Sequence, residues 1–303
     1  MRETVAQQIA DLAPEGEFSE LARPKSFWYK AFQQIIRNNR AILGFSVLLV
    51  LVLAAVFADQ ITPYDPYKVN YSNYKQPPSA EHFIGTDELG RDSFSRLIYG
   101  ARISLMVGIV VSSISVTIGV ALGAIAGYFG GIADMIIMRI VDLMQAFPFL
   151  VLAIALVAVF GPSLRNMMLA LIVVYWIWFA RVVRGMVLTL RETEFIVGAK
   201  AAGASDIGII FRHILPNVFP VVVVQGSFSV AEAILIAAAL SYLGLGAQPP
   251  TAEWGSMLSN AKELMRILPV MSIAPGVAIM VTVLAINFIG DALRDALDPT
   301  LRQ

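Results

Sequence analysis

An uncharged run of 26 residues, 103–128, restricts the folding of this chain more than any other feature. It exceeds the ~20 residues with which a helix crosses a ~30 Å hydrocarbon layer. In lipid every backbone N–H and C=O must be satisfied inside the segment, so the run is expected to be a transmembrane helix. Gly119, Gly123 and Gly127 recur along one of its faces, where a second backbone can approach closely, and they are read as packing positions with no binding role. Five further apolar stretches, 41–58, 134–160, 166–188, 218–242 and 269–289, are expected as spans. With 57% hydrophobic and 15% charged residues, the chain reads as an all-α polytopic membrane protein, a bundle of six transmembrane helices.

Charge sets the expected orientation. Six Lys/Arg precede the first span in the polar tail 1–40, which places the amino terminus in the cytoplasm. No apolar core followed by a small-residue cleavage site precedes that span, so the span itself is the expected insertion signal. Six crossings return the carboxy-terminal tail 291–303, with Asp291, Arg294, Asp295 and Asp298, to the same side. Segment 59–102, with Pro63, Pro66, Pro77 and Pro78, is too irregular for lipid and is expected outside. Its end predicts a short helix from Asp92 and ion pairs among Asp87, Glu88, Arg91, Asp92, Arg96 and Arg102, a structural role being favoured over substrate contact. In the third span Asp142 is expected to pair with Arg139, and Pro148 to kink the outer part. In the fourth, Tyr175, Trp176, Trp178 and Phe179 read as packing or an interfacial belt, with Arg181 and Arg184 at the inner surface. The last outer loop, 243–268, carries Trp254, a residue suited to an interface, and is placed to cap a pore mouth.

Two features call for a purpose. Between the fourth and fifth spans lies a polar loop, 191–217. Glu194 to Ala202 favours one helix, Gly203 breaks it, and Ser205 and Asp206 begin a second that is expected to stop at Pro216. Ile207, Ile210, Phe211 and Ile214 form an apolar stripe on that second helix, with Asp206, Arg212 and His213 off it. Such a helix either lies on lipid or docks on a partner protein. The other feature is Glu232, a carboxylate deep in the fifth span, on one helix face with Gln225 and Ser229. That face suits a water-filled path or a subunit interface, and a buried pair with a partner cation is the structural alternative.

Several motifs carry a resemblance. Gly203 followed thirteen residues later by Pro216, within GAKAAGAS and HILPN, resembles the cytoplasmic loop of permease subunits of binding-protein-dependent ABC importers. GTDELGRDSFSRLIYGARISL, AGYFGG, LSYLGLGAQPPTAEWGSML and GDALRDALDPTLR are similar to the dipeptide, oligopeptide and nickel branch of that family. The resemblance implies a permease core over 103–290 and a loop that inserts into a groove on an ATPase subunit. The residues it implies for that contact are Glu194, Ala199, Gly203, Ala204, Ser205, Asp206, Ile210, Phe211, His213 and Pro216. It also implies a second, homologous permease, two cytoplasmic ATPase subunits that bind ATP and Mg, and an external solute-binding protein. The implied location is the inner membrane of a bacterial or archaeal cell. Peptides are the implied cargo, with nickel or another small solute as the alternative.

Other chemistries lack their residues. No G-x-x-x-x-G-K-[ST] loop is present, so ATP bound in the P-loop manner must sit on another chain. H-E-x-x-H and G-x-S-x-G are also missing, and His82 and His213 are the only histidines, so neither a catalytic site, a cofactor site nor a metal site is expected. Zero cysteines exclude disulfides and thiolate ligands, and a formal net charge of +0 argues against nucleic acid. A stand-alone secondary transporter using Glu232 as an ion site is the rival from another class. It leaves the 203–216 loop without a role, and no internal repeat supports it.

Overall fold

Residues 27–297 are described by a computed structural model of the chain, and within them no named strand forms. The tails 1–26 and 298–303, with Asp298, lie outside the described residues. Helix α1 (Phe27–Arg37) occupies part of what reads as a polar tail, and Asn38 caps α2 (Asn39–Val56) by accepting from the Arg40 and Ala41 amides. A single turn, Ala58–Ile61, follows. Helix α3 (Ser93–Phe129) starts where Asp92 caps it, but the short helix expected there is instead the first part of an unbroken 37-residue rod. Its length of about 55 Å at ~1.5 Å per residue exceeds a hydrocarbon layer, so α3 carries its amino-terminal turns past the apolar zone.

The expected third span departs from a simple kink. Helix α4 (Gly131–Gln145) ends, and α5 (Phe149–Phe160) departs at 93°. Proline has no N–H to donate and drives the residue before it out of the helical region, so Pro148 stops one helix and begins the next. Helix α6 (Leu164–Leu190) then runs back along α3. After α7 (Glu194–Ala201) and the single turn α8 (Asp206–Ile209), a π-turn at Ile210–Ile214 leads directly into α9 (Leu215–Tyr242). Helices α10 (Trp254–Ala261) and α11 (Val270–Leu297) complete the described chain. Among the described residues five helical runs are long and apolar enough to span a membrane, and a sixth arises only when α4 and α5 count together.

Close approach of α3 and α6 organises the bundle. A Cβ on Gly119 would stand 2.4 Å from the Phe179 Cβ and 2.6 Å from the Trp176 carbonyl oxygen, and one on Gly123 2.5 Å from the Ala180 oxygen. Only glycine lets the two backbones meet there. Beside this seam Val107, Val111, Leu171 and Leu240 form a buried core shared by α3, α6 and α9.

The ends of the bundle are held by ion pairs, of which the two made by Asp87 fall within the expected set and the others do not. Asp87 takes Arg91 at 2.7 Å and Arg96 at 3.6 Å, but Glu88 takes Lys75 at 3.1 Å and Arg102 takes Asp59 at 3.0 Å. Asp92 holds buried His82 at 2.8 Å while it caps α3, so its oxygens serve a ring N and a backbone amide in place of an arginine. At the opposite end Asp142 pairs with Arg181 in place of Arg139, and Asp134 accepts from Arg184 Nη2 at 2.7 Å. A neighbouring helix brings both arginines alongside, and along one helix Arg139 has no comparable approach. Trp254 is 1% exposed and lies off any interface, its Nε1 donating to the Leu97 carbonyl at 2.9 Å. Gly100 makes this burial possible, since a Cβ there would meet the indole at 2.8 Å. Beside Trp254, Glu253 caps α10 by accepting from the Gly255 and Ser256 amides. Burial pushes its carboxyl up from the ordinary value, against those two bonds.

Candidate functional site: a polar cavity and an exposed helical loop

Helix α9 turns Gln225, Ser229 and Glu232 toward one cavity of about 610 Å³, bounded by α6 and by the break between α4 and α5. Ser229 is buried, donates to the Gly226 carbonyl at 2.8 Å and shares a hydroxyl contact with Ser112 of α3. Glu232 behaves otherwise. It is exposed on the described chain, and neither an ion pair nor a hydrogen bond reaches its carboxylate among the described residues. The cation partner expected under the structural alternative is therefore not found among the described residues.

Across the cavity stands Tyr175, 4% exposed, with its hydroxyl lacking any hydrogen-bond partner. Its ring meets Phe149 edge to face at 4.9 Å. Sequence reasoning grouped Tyr175 with aromatic packing residues and missed Gln145, Phe147 and Phe149, which the 93° break carries to the cavity wall. The available signal was Pro148 between two phenylalanines, a hinge that turns both rings off the helix line. A second cavity of about 340 Å³ shares Gln225 and Phe228 with the first and runs on past Val221 to Arg294. The α9 face thus borders a chain of open space leading from Glu232 toward the 191–205 end.

At that end the loop is built as a rigid corner. Glu194 opens α7, the Ala199 carbonyl accepts from the Ala204 amide at 3.1 Å, and Gly203 turns the chain at φ +86°. Nothing lies within 4 Å of a Cβ built on Gly203, so backbone conformation, with no clash involved, is what calls for glycine. Ser205 Oγ then accepts from the Gly208 amide at 3.2 Å, and Asp206 accepts from the Tyr128 hydroxyl of α3 at 2.6 Å. Arg191 Nη1 ties the other arm to the Gly127 carbonyl at 3.0 Å. His213 lies 6.4 Å from the Phe195 ring, and its carbonyl accepts from Asn217 at 2.6 Å.

The helix does not stop at Pro216. A proline ring collides with the carbonyl four residues earlier, here Arg212, and the π-turn widens the helix at that point, so the chain continues from Asp206 to Tyr242. The same extra residue divides the apolar stripe. Ile209 and Ile214 face inward with Val183, Val187 and Val218, and Ile210 packs at their edge. Ile207 and Phe211 stay 68% and 66% exposed, joined on the loop surface by exposed Phe195 and Val197. Among the described residues no three His, Asp or Glu side chains come together.

The chain matches two family models, the binding-protein-dependent transport system inner membrane component over 119–303 and the N-terminal TM domain of oligopeptide transport permease C over 26–78. It is 47% identical over 289 residues to the dipeptide transport system permease protein DppC of Alkalihalophilus pseudofirmus, covering 95% of this chain and 94% of that one. The glutathione transport system permease protein GsiD of Pectobacterium atrosepticum is 44% identical over 276 residues, covering 91% and 92%. In fold, the chain is similar to the MetNI methionine ABC transporter in an inward-facing conformation, with a TM-score of 0.54, 21% identity and coverage of 67% of this chain and 96% of that one.

Proposed function

Since this chain belongs to the binding-protein-dependent inner membrane components, permease subunits of ABC importers, we propose that its α9 cavity is half of a path for di- or oligopeptides. Membership implies ATPase and substrate-binding partners, and it removes the stand-alone transporter reading. In the proposed assembly a second, homologous permease faces this one across the cavity. Two cytoplasmic ATPases bind ATP and Mg, and an external binding protein delivers cargo. Peptide cargo follows from the DppC likeness, and the GsiD likeness supports a second reading in which the cargo is glutathione, itself peptide-like.

One observation carries the mechanical part. A continuous helix, Asp206–Tyr242, holds the exposed Phe211 near one end and the cavity carboxylate Glu232 farther along. Movement imposed on the loop therefore reaches the cavity through a single rod, which is what a subunit without its own ATP site requires. In this reading Ile207 and Phe211 seat in an apolar groove of the ATPase, with Glu194, Ala199, Ala204, Ser205, Ile210, His213 and Pro216 shaping the corner that presents them. Arg181, Arg184, Arg191 and Arg212 gather at this end, which supports placing it, and both termini, in the cytoplasm. The core then runs over 103–290, with 41–58 as the first span, 59–102 outside, and 1–40 and 291–303 as cytoplasmic tails.

The test is Phe211→Asp in the reconstituted complex. A carboxylate seated in an apolar groove costs several kcal/mol, of the order ~2–4, against docking. ATP-driven peptide uptake is expected to fall at least ~tenfold, while the spans still insert and the permease pair still copurifies. A cysteine at Ser205, the sole thiol in this chain, is expected to crosslink to the ATPase groove with a yield that changes with nucleotide. Full uptake by Phe211→Asp together with free aqueous labelling of the Ser205 thiol contradicts the docking role.

A further inference from the structure

The α9 cavity holds chemistry that a passive wall does not need. Its carboxylate, Glu232, has neither ion pair nor hydrogen bond among the described residues, and the neighbouring wall presents the Tyr175 hydroxyl, buried and unpartnered. Exposed faces of Trp178 and Phe147 complete the lining. A charged carboxylate at membrane depth is costly unless something answers it, and a buried hydroxyl without a partner is likewise unfavourable. The two needs differ, since the carboxylate calls for positive charge and N–H donors while the hydroxyl lacks an acceptor for its own O–H. The aromatic faces add attraction for a cation.

A compact, N–H-donating cation answers the carboxylate and the aromatic faces together. A bare divalent ion does not, because it needs several oxygen or nitrogen ligands, and no third His, Asp or Glu joins the carboxylate among the described residues. We infer that the Glu232 cavity is a transient station for the primary ammonium group of the transported molecule, held by the carboxylate beside the exposed faces of Trp178 and Phe147. The inference rests on reading the chain as a peptide path and adds the group of the peptide that this wall recognises. One carboxylate without bidentate support holds such a group weakly, as a path that must release its cargo requires. Farther along, the second cavity ends at Arg294, so the two ends of a zwitterion meet opposite charges in sequence.

The experiment uses the assembled complex with a single cysteine, Gln225→Cys, on the cavity face, its modification followed on this chain by mass spectrometry. Two thiol reagents of similar size are compared, trimethylammonium-ethyl and sulfonato-ethyl methanethiosulfonate. With Glu232 or Glu232→Asp present, the cationic reagent is expected to react at least about tenfold faster, the scale that a unit charge ~10 Å away sets at intermediate dielectric. With Glu232→Gln the two rates are expected to approach parity. Millimolar dialanine is expected to slow the cationic reagent, and N-acetyl-dialanine to leave it unchanged. The station is overturned by a charge preference that survives Glu232→Gln, by equal rates with Glu232 present, by equal protection from the two peptides, or by an unreactive thiol, which places this face against protein. If Gln225→Cys does not assemble, Phe228→Cys takes its place. Stimulation of ATP hydrolysis in the unmutated complex by the peptide-loaded binding protein is measured in parallel. Absent stimulation overturns the peptide-importer reading itself, whereas intact stimulation without charge preference overturns the station alone.

Discussion

Asp59 and Glu232 show how differently one functional group is treated at two places in this chain. The Tyr99 hydroxyl first, and then Arg102, hold the Asp59 carboxyl below its ordinary value of about 3.9. A carboxyl whose folded value is depressed lends stability above its unfolded value and loses it as pH falls through the lower folded one. The contribution is thus in place at neutral pH and fades below about pH 4. Melting temperatures of the purified chain across that range are expected to fall more steeply for the parent than for Asp59→Asn, and parallel curves contradict the role given to Tyr99 and Arg102. Glu232 has no such donors, which is why it reads as a site and Asp59 as a staple at the start of the bundle.

At the scale of helices the seam between α3 and α6 carries the heaviest constraint. Gly119→Ala puts a Cβ 2.4 Å from Phe179 Cβ, so the backbones must separate, at a cost of about 1 to 3 kcal/mol. Gly185 on α6 is the control, since nothing lies within 4 Å of a Cβ there and Gly185→Ala is expected to be neutral or slightly stabilising. Equal melting temperatures for the two variants in detergent contradict the close seam. This element was legible in the chain because an uncharged run and glycines at every fourth position are local patterns with one physical meaning in lipid. The Gly203 corner and the Ser205 cap were legible for the same reason. What escaped depends on distant partners: the burial of Trp254 needs Leu97, 157 positions away, and Asp134 finds Arg184 50 positions away. The π-turn escaped too, because Pro216 alone signals a stop, and only the packing of Ile209 and Ile214 shows that the helix continues. The cavity was half legible, since the Gln225, Ser229 and Glu232 face follows from helical spacing while the wall opposite comes from a break at Pro148 whose direction no local pattern gives.

For the molecule as a whole, the central claim is that one continuous helix joins a docking corner to a cavity carboxylate. Its weak points are Pro220, inside α9, and the π-turn at Ile210–Ile214, and packing against α3, α6 and α11 must hold both straight while the motor cycles. Because the chain has no native cysteine, spin labels go only where they are placed, at Ser205→Cys and Tyr242→Cys, two exposed positions at the ends of this 37-residue run. The distance between them, measured by pulsed electron paramagnetic resonance in the reconstituted complex, is expected near ~55 Å at ~1.5 Å per residue. The expected result is a narrow distribution that stays in place between the nucleotide-free and ATP-trapped states, while the label at Ser205 moves relative to the ATPase. A distance that shortens or broadens by several ångströms on ATP binding means that the rod bends between the loop and Glu232, and that result contradicts rigid transmission.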